Sequence, residues 1–409
     1  MGTLATILTL ILIFSFFVFV TFFGRLPALK NTPVASLYRL LWVHLPKKIY
    51  SLDTRFTGGR FTSSISRFGN HMLYDRHPTV VIIFLVIMLA GYTLYLPAIF
   101  PQISLLTKAT CCVLASLPLI FLYLSCAVDP GYVTPETLSY HMTLYPYDYA
   151  LFHPGAECRT CKLPKPPRSK HCSICKRCVA KSDHHCVFIN SCVGYGNHRW
   201  FLLLLFSTAA MTSFGGILGL SVLGHDLQRK YPAFTLLPSR SVSNSYTRWA
   251  SIWGFGLHSN IPLGSSTLLA LLTSPLVWGL FFYTLYQVYT GVTTNESQKW
   301  TELKEDMEDG YAWTRSLPMN RTRDLKIEPR CERWPVQPER VIVATVDGLA
   351  PKRPGMVGEG EWVRVRALRE VENLYDMGFW DNLGDVFVQD YAFGEGLDEP
   401  VAEKRRKKR

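Results

Sequence analysis

The chain has 409 residues, of which 48% are hydrophobic and 18% charged, and its net charge is +12 at pH 7. About a quarter of the residues in a soluble domain are usually charged, so this composition favours an integral membrane protein. Seven of the 11 cysteines lie between residues 158 and 192, interleaved with histidines. That spacing argues against a disulfide framework and is typical of metal ligands on the reducing, cytosolic side of a membrane.

Five apolar segments have about the 20 residues that a helix needs to cross a bilayer. They are residues 4–23, 79–100, 110–128, 200–223 and 263–290. The first has neither a preceding basic region nor a small-residue cleavage site, so we expect an uncleaved span and not a signal peptide. The second and third are joined by a short connection and predict a helical hairpin.

The basic residues of the connections predict the topology. Nine Lys and Arg lie in residues 25–78 and nine in 129–199, compared with Lys108 alone between the second and third spans and four in 224–262. Cytosolic connections carry the excess of basic residues. We therefore predict an all-α integral membrane protein of five transmembrane helices, with a lumenal N-terminus and a cytosolic cysteine-rich domain between the third and fourth helices.

This topology divides the chain into six regions. They are a first span (1–24), a cytosolic basic connection (25–78), a transmembrane hairpin (79–128), the cysteine-rich domain (129–199), two spans with a lumenal connection (200–290) and a cytosolic tail (291–409). The tail is polar, and residues 340–346 predict a short strand. Its terminal basic run, 404–409, is expected to be solvated, with membrane attachment and retrieval to the endoplasmic reticulum as alternatives.

The cysteine-rich domain offers ten candidate metal ligands. Zinc prefers four N or S ligands, and ligand pairs two residues apart can close on one ion. The candidates are Cys158, Cys161, His171, Cys172, Cys175, Cys178, His184, His185, Cys186 and Cys192. Eight of them would fill two structural sites, and spacing alone does not decide which two remain. The domain is therefore either a zinc module without chemistry or one with a spare thiol, beside histidine and Asp183, that can act as a nucleophile.

The same domain is basic, which a nucleic-acid-binding module would also be. However, it is tethered between two predicted spans, with Arg199 and Trp200 leading directly into the fourth. Anionic lipid headgroups or an anionic cofactor are therefore the expected partners, and nucleic acid is not.

From Cys158 to Phe201 the sequence reads C-x2-C-x9-H-C-x2-C-x2-C-x4-D-H-H-C-x5-C-x4-N-x3-F, and it resembles the cysteine-rich domain of the DHHC family of protein S-palmitoyltransferases. Three further motifs agree. Residues 129–131 (DPG), 293–296 (TTNE) and 373–387 resemble the DPG, TTxE and C-terminal motifs of that family, with Asn382 as the asparagine of the last. The span at 4–23 is additional to the four of the family, and the long segment 297–381 separates the last two motifs.

The resemblance implies two structural zinc sites and a catalytic trio. One zinc is held by Cys158, Cys161, His171 and Cys178, and the other by Cys172, Cys175, His185 and Cys192. The remaining residues are Cys186 as the nucleophile, His184 as its base and Asp183, which orients His184. The acyl donor is palmitoyl-CoA, the intermediate is a transient S-palmitoyl group on Cys186, and the acceptor is a substrate cysteine.

Four basic residues are candidates for the phosphates of CoA, with a solvated basic face as the alternative: Arg159, Lys165, Arg168 and Lys176. Asn197 and Thr294 are expected to link the domain to the spans and the tail. The additional span and the tail resemble the fungal spore-wall-formation branch of the family, which implies the endoplasmic reticulum membrane and membrane-anchored substrates such as SNARE proteins. An acyl hydrolase and a non-catalytic zinc module are the competing functions.

Overall fold

The computed structural model describes residues 31–237, 246–352 and 355–393, together with residues 9, 13, 16, 17, 19–21, 24 and 29. The predicted first span, 4–23, lies largely outside these residues, and the terminal basic run, 404–409, lies wholly outside them. The chain forms two compact units, Met1–Asp75 and Arg76–Arg409.

The first unit is helical where a basic connection was predicted. Its helices are α1 (Pro33–Arg39), a π-helical turn (Leu40–His44), α2 (Leu45–Thr57) and α3 (Arg60–Tyr74). Between α2 and α3, Gly58 and Gly59 adopt φ angles of 68° and 83°, a left-handed conformation that favours glycine. The buried carboxylate of Asp53 fixes this turn, because it accepts hydrogen bonds from the backbone N–H of Thr62 at 2.7 Å and from its hydroxyl at 2.6 Å.

In the second unit, four of the described helices are long and apolar enough to cross a membrane. They are α4 (Thr79–Ile99), α5 (Leu105–Ala127), α7 (His198–Lys230) and α9 (Ile261–Tyr289). Their positions agree with the predicted second to fifth spans. Helix α7 packs against α5 and α9. The approach to α9 is close, because a methyl group on Gly219 would overlap the side chain of Thr267, and small residues allow such helix contacts in membranes.

The cysteine-rich domain is built from short strands. Strands β1 (Tyr132–Val133), β2 (Lys170–Cys172) and β3 (Arg177–Val179) form one sheet in the order β1-β3-β2, and helix α6 covers Leu138–Thr143. Strands β4 (His184–Cys186) and β5 (Ser191–Val193) form an antiparallel hairpin.

The tail begins with helix α10 (Thr294–Glu308). A sheet of order β7-β6-β8 follows, made of β6 (Ala312–Ser316), β7 (Arg340–Ala344) and β8 (Glu359–Arg364). A 3-10 turn (Leu368–Glu370) and helix α11 (Phe379–Phe387) come after the sheet. Outside the tail, helix α8 (Tyr246–Ser259) lies between α7 and α9, and a 3-10 turn (Phe100–Gln102) follows α4. Strand β7 confirms the strand predicted at 340–346. The all-α prediction is wrong for the domain and the tail. Pairs of candidate metal ligands lie on tight turns beside short strands of the domain, and three segments of the tail pair into an antiparallel sheet.

The largest buried apolar cluster joins the cysteine-rich domain to the tail. Tyr145 packs on Trp334 and Tyr375 of the tail, with ring centroids 5.5 and 6.1 Å apart. Cys178 of the domain and Leu317 of the tail lie in the same cluster. The segment 297–381 therefore contributes to the core that supports the cysteine-rich domain.

Candidate functional site

Strand β4 separates the catalytic candidates from the metal ligand between them. Successive side chains of a strand point to opposite faces, so His184 and Cys186 share one face and His185 lies on the other. Cys186 is buried against apolar residues that include Ile189 and Phe201. The alternation of the strand explains how adjacent histidines have different surroundings.

The structure brings the ten candidate ligands together as two sets of four and a remainder. The ligand atoms of each set lie within 4.8 Å of one another. The first set is Cys158, Cys161, His171 and Cys178, and the second is Cys172, Cys175, His185 and Cys192. These are the two sets that the family resemblance implies, and His184 and Cys186 belong to neither.

The distances within both sets fit tetrahedral zinc. With Zn–S bonds of about 2.3 Å and Zn–N bonds of about 2.0 Å, neighbouring ligand atoms lie about 3.5–3.8 Å apart. The sulfurs of the first set lie 3.3, 3.5 and 3.8 Å from Nδ1 of His171. Those of the second lie 3.3, 3.6 and 3.7 Å from Nδ1 of His185. Four protein ligands close each site, so the residues fit structural zinc.

Similar turns present the two Cys-x2-Cys pairs. The backbone N–H of Cys161 donates to the sulfur of Cys158 at 3.3 Å, and that of Cys175 donates to Cys172 at the same distance. Lys162 and Lys176, which follow the pairs, have φ angles of 56°. The chain therefore reverses direction directly after each pair.

Asp183 and His184 form a hydrogen bond of 2.6 Å between Oδ2 and Nδ1. Burial alone would raise the pKa of the Asp183 carboxyl, but hydrogen bonds from His184 and Thr294 outweigh burial and lower it below its usual range. Asp183 is therefore a carboxylate that fixes the orientation of the imidazole.

The His184 imidazole is suited to carry a positive charge next to Cys186. Burial opposes that charge, but hydrogen bonding to Asp183 and to Cys186 outweighs it and raises the pKa of His184 to about 10. The ring also packs edge-on against Phe201, with centroids 5.4 Å apart. An imidazolium beside a thiol favours the thiolate, which is the nucleophilic form of cysteine.

Thr294 and Asn197 link the site to the spans and the tail, as predicted. The backbone N–H of Thr294 donates to Oδ1 of Asp183 at 2.6 Å, and its hydroxyl donates to Oδ2 at 3.1 Å. The fully buried amide of Asn197 donates to the carbonyls of Ser125 and Cys192 at 3.1 and 2.9 Å. The end of α5, strand β5 and the start of α7 therefore meet at Asn197.

Arg168 does not lie on a solvated basic face, and its contact with CoA stays a prediction. Its side chain is buried, and Nε and Nη2 donate to the two carboxylate oxygens of Glu296, both at 2.7 Å. The guanidinium also stacks on Tyr145 and Tyr375. A phosphate could reach Arg168 only if this ion pair broke, and the pair itself links the cysteine-rich domain to the start of the tail.

The other three candidates for CoA contacts are more accessible to solvent than Arg168. Arg159 and Lys176 are exposed, and Lys165 is half-buried. Lys299 of the tail, which was not predicted, lies near Lys165: burial first, and then the charge of Lys165, lower the pKa of its ammonium group. Contacts of Arg159, Lys165 and Lys176 with CoA phosphates stay a prediction.

A buried ionic network around Asp385 was also missed. Its carboxylate accepts from Lys181 at 2.6 Å, from the Tyr145 hydroxyl at 2.8 Å, and from Arg333. Burial would raise the pKa of Asp385, but Lys181 and Arg333 outweigh it and lower the pKa. Asp385 lies within the motif at 373–387, and this position was the signal available in the sequence.

Asn382 connects that motif to the last span. Its amide donates to the carbonyl of Tyr289 at 3.2 Å and to Asp376 at 2.9 Å, and its Oδ1 accepts from the N–H of Met377 at 3.0 Å. The long segment 297–381 therefore does not separate this asparagine from the end of α9.

Comparison with known proteins identifies relatives in a single family. The model of the DHHC palmitoyltransferase family matches residues 152–301. The chain is 49% identical to palmitoyltransferase SWF1 of Neurospora crassa, over 99% of this chain and 97% of that protein. It is 37% identical to palmitoyltransferase swf1 of Emericella nidulans (97% and 99% covered) and 32% identical to that of Schizosaccharomyces pombe (92% and 94%).

Proposed function

Since this chain belongs to the DHHC palmitoyltransferase family and is a membrane-bound protein S-palmitoyltransferase, we propose that it transfers palmitate from palmitoyl-CoA to substrate cysteines through a thioester on Cys186. The observation that supports this proposal is the geometry of β4. Cys186 shares a face with His184, whose Nδ1 is hydrogen-bonded to Asp183 at 2.6 Å.

In the first step, His184 holds the proton of Cys186, and the thiolate attacks the carbonyl carbon of palmitoyl-CoA. A new C–S bond forms, the bond to the CoA sulfur breaks, and the proton on His184 passes to the departing thiolate. Asp183 stabilises the charged imidazole and holds its orientation, as carboxylates do in other catalytic triads.

In the second step, the thiol of a substrate protein gives its proton to His184 and attacks the acyl-enzyme. The palmitoyl group moves to the substrate sulfur, and Cys186 leaves as a thiolate that is again paired with His184. One thioester is exchanged for another in each step, so no nucleotide is needed.

Apolar residues of the spans supply an environment for the acyl chain. Cys186 belongs to a buried cluster with Leu122 of α5 and Leu204 and Leu205 of α7. Just after Cys186, the exposed Phe188 packs edge-on against Phe84 of α4. These contacts support entry of the palmitoyl chain from the bilayer.

Zinc would contribute structure and no reaction step. When bound by the two sets of four ligands, it would supply closed coordination that stabilises the short strands. His185 would be held on the face of β4 opposite Cys186, and the orientation of the catalytic face would follow.

Location and substrates are inferred from the family branch. We infer five spans, a cytosolic cysteine-rich domain and tail, and residence in the endoplasmic reticulum membrane, with the six regions divided as the sequence predicts. Substrate cysteines next to membrane anchors, as in SNARE proteins, would meet Cys186 at the bilayer surface.

Acyl loading tests the mechanism. Full-length protein in detergent is incubated with labelled palmitoyl-CoA, and we expect a hydroxylamine-sensitive label that Cys186→Ser abolishes. Cys112→Ser is the matched control, because Cys112 lies exposed on α5 outside both zinc sets. Zinc-loaded wild-type protein that takes up no label would refute the thioester and favour a non-catalytic zinc module.

The acceptor separates transfer from hydrolysis. Acyl-enzyme is mixed with a membrane-anchored peptide that carries one cysteine beside its anchor. We expect the label on that peptide, and a peptide with serine at the same position should stay unlabelled. Release of the label as free palmitate in both cases would instead identify an acyl hydrolase.

A further inference from the structure

Helices α2 and α3 carry apolar side chains that the first unit leaves exposed. Along each helix, these exposed apolar residues recur every three or four positions, so they form one stripe on each helix. The stripes consist of Leu45, Ile49, Leu52 and Phe56 on α2 and Phe61, Ile65 and Phe68 on α3. Their exposed fractions lie between 42% and 79%. Such continuous apolar surface is unusual for a face in contact with water.

The exposed Asp, Glu, Lys and Arg residues of the same hairpin all carry positive charge. Its basic residues are Lys47, Lys48, Arg55, Arg60 and Arg67. The single acidic residue is Asp53, which is buried in the turn with its oxygens hydrogen-bonded to Thr57 and Thr62. The exposed charge of the hairpin is therefore positive.

The tether to the membrane is short. Helix α3 ends at Tyr74 and the span α4 begins at Thr79. An extended chain covers about 3.6 Å per residue, so these two residues lie no more than about 18 Å apart. The connection therefore keeps the C-terminal end of α3 within this distance of the start of the span.

From these observations we propose that α2 and α3 form an amphipathic hairpin that lies in the bilayer interface. The two stripes enter the boundary of the acyl chains, and the basic residues contact anionic phospholipid headgroups. Apolar area and attraction to anionic lipid both strengthen such binding. This surface requires no catalytic residue, so the proposal is independent of the reaction at Cys186.

The depth of single positions tests the proposal. An environment-sensitive fluorescent amino acid is introduced by codon suppression in the full-length protein, at Phe56 or Phe68 on the stripes. Thr54 and Asn70 are the matched controls, because both are exposed and lie on the opposite faces at 3.6 residues per turn. In nanodiscs of phosphatidylcholine and phosphatidylserine with brominated acyl chains, we expect quenching at least about threefold stronger at the stripe positions than at the controls. Equal quenching at all four positions would overturn the proposal.

The lipid charge and competing occupants are tested in the same system. Replacing the five basic residues with Gln should remove the additional quenching that phosphatidylserine causes relative to pure phosphatidylcholine. A photo-crosslinking amino acid at Phe56 should form adducts with lipid. Adducts mainly with a second copy, or with another segment of the chain, would show that protein covers the stripes and would refute the proposal.

Discussion

Thr294, at the start of the tail, donates hydrogen bonds to both carboxylate oxygens of Asp183, from its backbone N–H at 2.6 Å and its hydroxyl at 3.1 Å. The residues are 111 positions apart in the chain. The orientation of the Asp183 carboxylate therefore depends on a docked tail.

Thr294→Val tests this dependence. It removes the hydroxyl and keeps the backbone donor, so we expect acyl loading to slow about three- to tenfold, which corresponds to about 1 kcal/mol for one hydrogen bond. Thr294→Ser should restore the rate, because it restores the donor. Rates of label uptake are measured at equal zinc content and equal melting temperature. A Val variant as fast as the wild type would show that the hydroxyl does not position Asp183.

The buried pair of Arg168 and Glu296 predicts a stability effect that an exposed pair lacks. Arg168→Met leaves the Glu296 carboxylate buried without its cation, at a cost of about 3–5 kcal/mol in the free energy of unfolding. The double variant with Glu296→Leu should recover much of this loss. Thermal unfolding in detergent provides the measurement.

Lys304 and Glu308 provide the control pair. They lie one helical turn apart on α10, 3.5 Å from each other and exposed, so Lys304→Met should change stability by less than about 0.5 kcal/mol. Similar melting temperatures for Arg168→Met and Lys304→Met would contradict the structural role of Arg168.

Asp148 predicts a pH dependence. Burial raises the pKa of its carboxyl to about 6, although Oδ1 accepts hydrogen bonds from the N–H groups of Ala150, Leu151 and Phe152. The folded state therefore binds this proton more tightly than the unfolded state, whose Asp pKa is about 3.9. The contribution of the protonated Asp148 carboxyl to the free energy of unfolding is fully present below about pH 4. It is lost as the pH rises through about 6.

Asp148→Asn removes the buried charge and keeps an oxygen for the three N–H groups. We expect it to raise the free energy of unfolding relative to the wild type. This gain should be about 1–2 kcal/mol larger at pH 8 than at pH 5, and thermal unfolding at the two pH values measures it. Asp324→Asn, whose Oδ1 also accepts a backbone hydrogen bond but on an exposed turn, is the comparison. A gain that is independent of pH would argue against an elevated pKa.

Removing one ligand from either metal site should stop acylation through loss of structure. Cys161→Ala changes the first set and Cys175→Ala the second. We expect each variant to bind less zinc by mass spectrometry, to melt earlier and to take up no label from palmitoyl-CoA, because both sites are closed and structural. Full labelling of metal-free protein would contradict this account.

Much of the architecture could be predicted from local sequence. Long apolar runs identify α4, α5, α7 and α9, since a span needs about 20 apolar residues. Spacing identified the candidate ligands, but their allocation depended on the family resemblance. The adjacent residues His171 and Cys172 belong to different candidate ligand sets, and spacing along the chain does not reveal such an arrangement.

Two predictions failed for different reasons, one of them because the partner is distant in the chain. Arg168 belongs to a basic stretch, and its partner, Glu296, is 128 residues away, so its burial is not visible locally. The helices of the first unit do have a local signal, because Leu45, Ile49, Leu52 and Phe56 recur every three or four residues. That period was available in the sequence.

The pairing of β4 with β5 links the register of this hairpin to the positions of both His185 and Cys186. His185 lies directly opposite Cys192, and both belong to the second ligand set. A slip of one residue in this hairpin would exchange the two faces of β4, so Cys186 would point toward the metal and His185 toward the substrate. Such a chain would lose a metal ligand together with its nucleophile. If zinc binds at the second set, its binding would require the register that also places Cys186 on the face of His184.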